Sequence, residues 1–168
     1  MLTLATVLSY VLIHGSTNVM MTGGNVKLPV ALAKRSEYGR DFLWFRTRDG
    51  AYLIRNEGTL ERIDHLFDAA KALDPEVERV RVKLRPLEKR ESELDRQIDA
   101  LDEDGRDRER VRDLQREMRD VEARLRVLER EEEEVDRRRD AREAEAERQL
   151  FPILVDAIHS GVAQPVRP

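Results

Sequence analysis

The chain has no cysteine. That excludes disulfide bridges, thiolate metal sites and a thiol nucleophile, and leaves the compartment open. Aromatic residues are scarce, 5% of 168 residues, and lopsided. Tyr10, Tyr38, Phe42, Trp44, Phe45 and Tyr52 all precede residue 55, and after Phe67 only Phe151 follows. A compact core therefore belongs to the N-terminal third, joined by the C-terminal tail. A charge surplus is also lacking. The 31 basic and 35 acidic residues interleave to a net charge of −4. A nucleic-acid footprint needs basic residues gathered on one face, so no nucleic-acid partner is expected. Nor is any apolar run long enough to span a bilayer, so no integral membrane span is expected in this chain. The apolar stretch Leu2 to Ile13 has the length of an export-signal core, yet no Lys or Arg precedes Lys27. It stays open between an export signal and a buried strand or helix.

What the chain has in abundance is charge, 39% of residues. That is the profile of long exposed helices around a small core. Residues 1–25 read as an export signal or loop, since His14 to Asn25 is rich in Gly, Ser, Thr and Asn. Residues 26–73 read as a small ββα head. Phe42 to Arg55 has the pattern of two strands around Asp49-Gly50, a pair favoured in type I′ turns. A two-residue turn there sets Phe45 opposite Ile54 and Thr47 opposite Tyr52, with Trp44, Arg46 and Leu53 on the other face. Asn56 caps a following helix. Leu60, Ile63, Leu66, Phe67, Ala70 and Leu73 recur at helical spacing and would cover the strands.

Residues 74–149 read as an antiparallel coiled-coil hairpin. Asp74-Pro75 is a helix start, an N-cap residue before a proline suited to the first turn. The apolar residues then follow a 3-4 rhythm, the knobs of a coiled coil. The first arm carries Val77, Val80, Leu84, Leu87, Leu94, Ile98 and Leu101; the second carries Val111, Leu114, Met118, Val121, Leu125, Leu128 and Val135. Folding the chain back about residue 106 sets Leu101 against Val111, Ile98 against Leu114, Leu94 against Met118, Leu87 against Leu125 and Val77 against Val135. This centre falls at Gly105, the sole glycine between Gly58 and Gly161. Glu91 and Glu132 interrupt the rhythm at a positions, and a glutamate there sets register at some cost in stability. Pro86 predicts a kink or local break near Lys83 to Pro86, because it removes a backbone hydrogen bond. Past Val135 the seam ends in a charged helix that runs back beside residues 63 to 76. Residues 150–168 read as a separate docking helix, with Phe151, Leu154, Val155 and Ile158 on its apolar face, ended by Gly161. A loose end follows from Val162. The expected fold class is mainly α, a long antiparallel coiled-coil helical hairpin with a small ββα head.

No catalytic constellation emerges. His14, His65 and His159 do not form a metal spacing, although Glu61 and His65 stand four apart. Gly23-Gly24 lacks the frame and the lysine of a phosphate loop. No GxSxG is present. Carboxylates on a solvated coil lack the burial that acid–base work requires. The expectation is a protein without enzymatic activity, cofactor or metal, whose partner is another protein or itself as a homodimer. Trp44, Arg46 and Tyr52 are the candidate recognition residues of the head.

The segment Asp41-Phe-Leu-Trp-Phe-Arg-Thr-Arg-Asp-Gly-Ala-Tyr-Leu-Ile-Arg-Asn56 resembles an LWFRxDGxxYxI hairpin of uncharacterised bacterial proteins, where a helix and a heptad-rich stretch follow it. The ending Leu154 to Val166 is similar to the closing segment of the same proteins. Such segments occur as extracytoplasmic tails of bla-regulator-type sensor metallopeptidases. The resemblance covers residues 16 to 166 loosely and only those two motifs specifically. No zinc motif is present, so no catalytic residue carries over. What it implies is an extracytoplasmic, periplasmic module: a scaffold of the cell envelope or, alternatively, a ligand- or peptide-sensing domain.

Overall fold

A computed structural model describes residues 7–14, 19–24, 33–34, 36–104 and 107–166. The chain is mainly helical, 73%, with two long helices packed antiparallel and a small antiparallel sheet. The elements are β1 (Ser9–His14), β2 (Val19–Gly24), β3 (Phe42–Arg46), β4 (Ala51–Ile54), α1 (Glu57–Leu66), α2 (Asp68–Lys71), α3 (Asp74–Asp104), α4 (Arg108–His159) and β5 (Gln164–Val166). They divide into two compact units. One comprises residues 1–68 and 143–168, the other Ala69–Arg142. Gly105, the expected reversal point, lies outside the described residues.

In the first unit the five strands run antiparallel in the order β2-β1-β3-β4-β5. Strand side chains alternate between faces, and here both faces are apolar. Tyr10 and Leu12 of β1, Leu43 and Phe45 of β3, and Ile54 of β4 point into one cluster with Leu60 and Ile63 of α1 and Leu150 and Leu154 of α4. Val11, Ile13, Phe42, Trp44, Ala51 and Leu53 form a second cluster on the other face, where Tyr38 and Val166 pack against it. A strand buried on both faces reads as a continuous apolar run, and Tyr10-Val-Leu-Ile13 is such a run, at most 3% exposed.

The expected ββα unit is present as β3, β4 and α1, and two N-terminal strands and one C-terminal strand extend its sheet. Two expectations about this unit need correction. The expected loop from His14 to Asn25 contains β2, paired residue for residue with β1. Its Val19-Met20-Met21 core is short enough to be hidden by flanking Gly, Ser and Thr. The expected loose end contains β5, which pairs with β4 at Tyr52↔Pro165. Proline there fits an edge strand, where a missing N–H costs no ladder bond.

The β3–β4 register also differs from expectation. Phe45 faces Tyr52 and Leu43 faces Ile54, so four residues, not two, connect the strands. A type I′ turn needs φ > 0 at both central positions, and Asp41 is the only non-glycine residue with positive φ among those described. Thr47 decides the alternative. It is 2% exposed; its Oγ1 accepts from the Asp49 N–H at 3.1 Å and donates to the Gly50 carbonyl at 3.3 Å. The shift is two residues, one full strand period, so every side chain keeps its expected face.

Asn56 caps α1 as expected, its Oδ1 accepting from the Thr59 N–H at 3.0 Å. The apolar stripe then divides between α1 and the short α2. The expected separate docking helix does not exist. Helix α4 runs unbroken through Pro152 for 52 residues. Its last turns do dock on the sheet, but through Ala146, Leu150, Ile153, Leu154 and Ala157. Phe151 is 38% exposed, and Val155 and Ile158 are half-buried. The expected face was displaced because it was phased from residue 151 as a new helix.

Candidate interaction surface

In the second unit α3 and α4 form the helical hairpin. Among the expected seam residues, Val77, Val80, Leu84, Leu94, Leu114, Val121, Leu125 and Val135 are buried. Leu87, Ile98, Leu101, Val111, Met118 and Leu128 are half-buried. None of the fourteen is exposed, and the central ones form one continuous cluster. Helix α4 starts at a cap the heptad pattern did not reveal: Asp107 Oδ1 accepts from the Arg110 N–H at 3.0 Å. Ion pairs cross between the arms: Arg81–Glu132, Arg90–Glu117 and Arg138–Glu76.

Glu132, an exception in the heptad pattern, finds its partner there. The Arg81 guanidinium Nε donates to it at 2.7 Å, and that carboxylate raises the Arg81 pKa, through the hydrogen bond first. Glu91 is half-buried. Around Pro86 the expected local break is absent, since α3 is one 31-residue helix. One proline inside a well-packed helix costs about 3 kcal/mol, less than the seam around it supplies at ~1.5–3 kcal/mol per buried leucine.

Pro86 instead shapes the surface. Together with Lys83 and Leu87 of α3 and Ala123, Arg124, Val127 and Leu128 of α4, it lines an open groove of about 750 Å3. Its walls are almost wholly apolar. Val127 is 56% exposed. In the heptad frame Val127 is an outward c position, and the c positions on either side of it in α4, Asp120 and Glu134, are charged. In the groove the short side chains of Pro86 and Ala123 stand beside the long ones of Lys83 and Arg124.

Comparison with protein-family models, curated proteins and solved structures finds no match. The function must therefore be argued from the residues themselves.

The sheet unit keeps its candidates apart. Trp44 and Tyr52 lie on opposite faces, Trp44 in the second cluster and Tyr52 packed against the first. Tyr52 stacks on Phe45 with ring centroids 5.4 Å apart. Trp44 is 5% exposed, with the Lys34 ammonium 4.9 Å above its ring. Among the described residues its indole Nε1 has no hydrogen-bond partner. Arg46, at the end of β3, is exposed. A small polar cleft between the start of α1 and the end of α4 is lined by Asn56, Thr59, Arg62, Asp156 and Ser160, with a volume of about 270 Å3. Its polar atoms are largely engaged locally, Thr59 with Asn56 and Ser160 with the Asp156 carbonyl.

The histidines do not converge. His65 pairs with Asp68 at 2.8 Å and not with Glu61; the hydrogen bond to Asp68 raises its pKa. His14 stands 3.9 Å from Asp64. Among the described residues no group of three or more His, Asp or Glu side chains is placed to hold a metal ion. None of the described helices is long and apolar enough to cross a membrane.

Proposed function

We propose that this chain is a non-enzymatic interaction module whose helical hairpin presents the binding surface. One observation carries the reading: an apolar groove in which Val127, 56% exposed, stands with Pro86, Leu87, Ala123 and Leu128. Large apolar side chains clustered on a solvated surface mark sites where another molecule is bound. The test is a photo-reactive amino acid at Val127 in the producing cell, with the same probe at exposed Glu129 as control. The reading expects a discrete protein adduct at Val127 and none at Glu129. Equal yields at the two positions, or none, would refute it.

The alternative, a ligand-sensing domain that reads its target with Trp44, Arg46 and Tyr52, has less support. Trp44 is buried beneath Lys34 and Tyr52 lies on the other face of the sheet. That reading requires Trp44 emission to respond to cell-wall fragments. Placement in the bacterial cell envelope rests on the resemblance of residues 41–56 and 154–166 to extracytoplasmic segments. A phosphatase reporter that is active only outside the cytoplasm, fused to the C-terminus, tests it.

A further inference from the structure

The charges that flank the groove identify what fills it. Along α4 the g positions of the heptad read Arg110, Glu117, Arg124, Glu131, Arg138 and Glu145, changing sign every two turns, and the middle four flank the groove. The outer two of these four are engaged within the hairpin, Glu117 with Arg90 at 2.6 Å and Arg138 with Glu76. The two inner ones are not: among the described residues, Arg124 and Glu131 take part in no ion pair. Both are exposed. Their midpoint falls between Val127 and Leu128, at the centre of the apolar groove.

An alternation with an even number of members has a useful symmetry. Reversed about its midpoint, it sets every charge against its opposite. Two α4 helices laid antiparallel about Val127–Leu128 bring Arg124 of each copy to Glu131 of the other, with Glu117 and Arg138 in the same relation further out. Laid parallel in register, they would set like against like throughout. Val127 and Leu128, which sit on the axis, would cover each other and the groove residues Pro86 and Ala123. We propose that this groove is the centre of a twofold, antiparallel interface between two copies of this chain. The proposal rests on the reading of the hairpin as an interaction surface and names its partner. The same axis brings Asp120 toward Glu134 of the second copy, a like-charge approach at the next c positions. The interface is therefore selective for orientation more than it is strong, and association is reversible and concentration-dependent.

Sedimentation velocity of the full chain over a range of concentrations tests this. The wild type is expected to shift from monomer to dimer, and less so in high salt. Arg124→Glu and Glu131→Arg should each weaken association by roughly tenfold or more, with unchanged circular dichroism because both sites are exposed. The double variant Arg124→Glu/Glu131→Arg should restore it, since the antiparallel pairing is then re-formed with reversed signs. The absence of native cysteine makes a second measurement clean: Val127→Cys should oxidise to a covalent dimer far faster than Glu129→Cys. A strictly monomeric wild type, a double variant as weak as the singles, or equal rates at the two cysteines would each overturn the proposal. A monomeric wild type that still gives an adduct to a different protein at Val127 in cells removes the second copy as partner and leaves the interaction reading standing. No adduct at Val127 in cells removes that reading as well.

Discussion

Tyr10 shows how one polar group is held in the sheet unit. Its ring is 3% exposed, 6.4 Å from the Phe67 ring. Its hydroxyl donates to the Glu147 carboxylate at 3.1 Å. A buried phenol without a partner would be costly, and a bond to a charged acceptor is worth more than one to a neutral one. Tyr10→Phe is therefore expected to lower stability by ~1.5–3 kcal/mol, read from urea unfolding. The same surroundings push the Tyr10 pKa far up, through burial first, then the nearby charge of Glu147. Tyr38 is pushed up to about 12, chiefly by its hydrogen bond to Glu37. Both folded values exceed that of an unfolded tyrosine, near 10. Their contribution is thus complete below about pH 10 and is lost as pH climbs toward the folded values. The urea midpoint should fall through this window, and Tyr10→Phe should flatten most of the fall. Tyrosinate absorbance should show Tyr10 titrating only after the chain unfolds. Ionisation of Tyr10 in the folded chain at its ordinary pKa would refute this account.

At the scale of the element, the hairpin's seam was legible from the sequence and much of the sheet was not. Heptad spacing repeats over many turns, so each leucine in α3 and α4 corroborates the next, and eight of the fourteen seam positions are buried and six half-buried. Strands of three to six residues offer no such redundancy. Whether Val19-Met-Met or Gln164-Pro-Val forms a strand is settled by a neighbour far away in sequence, a tertiary choice that local propensity does not encode. Trp44 and Arg46 share one face of β3 and Tyr52 lies on the other face of the sheet, as strand alternation already implies, so the three candidates do not form one site. The groove at Val127 was missed, although one signal was present: an apolar residue at an outward heptad position, close to a proline and an alanine of low bulk.

Two substitutions test these elements. Gly161, where α4 ends, has φ +77, and a Cβ there is strained even though the space around it is open. It is followed by Ala163, which is buried and whose N–H donates to the Ala157 carbonyl at 2.8 Å. Gly161→Ala is expected to cost about 1–2 kcal/mol and to loosen β5, visible as faster amide exchange at Leu53. Glu132→Leu acts in the opposite direction. Glu132 occupies a seam position while its partner Arg81 can return to water. Replacing a half-buried ion pair with a packed hydrophobe is often neutral or stabilising, so Tm should rise, by a gain of ~1 kcal/mol. A lower Tm would mean that the Arg81–Glu132 pair itself holds the hairpin in register.

At the scale of the whole molecule, one helix serves two cores of different depth. The first part of α4 supplies Leu114, Val121 and Leu125 to the hairpin seam, and its last turns supply Leu150, Leu154 and Ala157 to the sheet. The sheet buries apolar side chains on both of its faces, whereas the hairpin buries a single seam between two helices. Local stability follows buried apolar contact, and regions of shallow burial open first. Amide protection should therefore not be uniform along α4 although it is one continuous helix. Hydrogen exchange followed by mass spectrometry is expected to find the slowest amides in β1 and β3, each paired on both edges, and in residues 150–157. Residues 80–94 and 114–125, where the seam is best buried, should be intermediate. Exchange should be fastest toward 95–101 and 108–113, where Ile98, Leu101 and Val111 are only half-buried. If two copies associate through Val127, raising the concentration should slow exchange selectively around residues 120–135 and leave 150–157 unchanged. A single protection level from Arg108 to His159 would instead mean that both cores open together, and that the helix joining them, not the depth of either core, sets the stability of the chain.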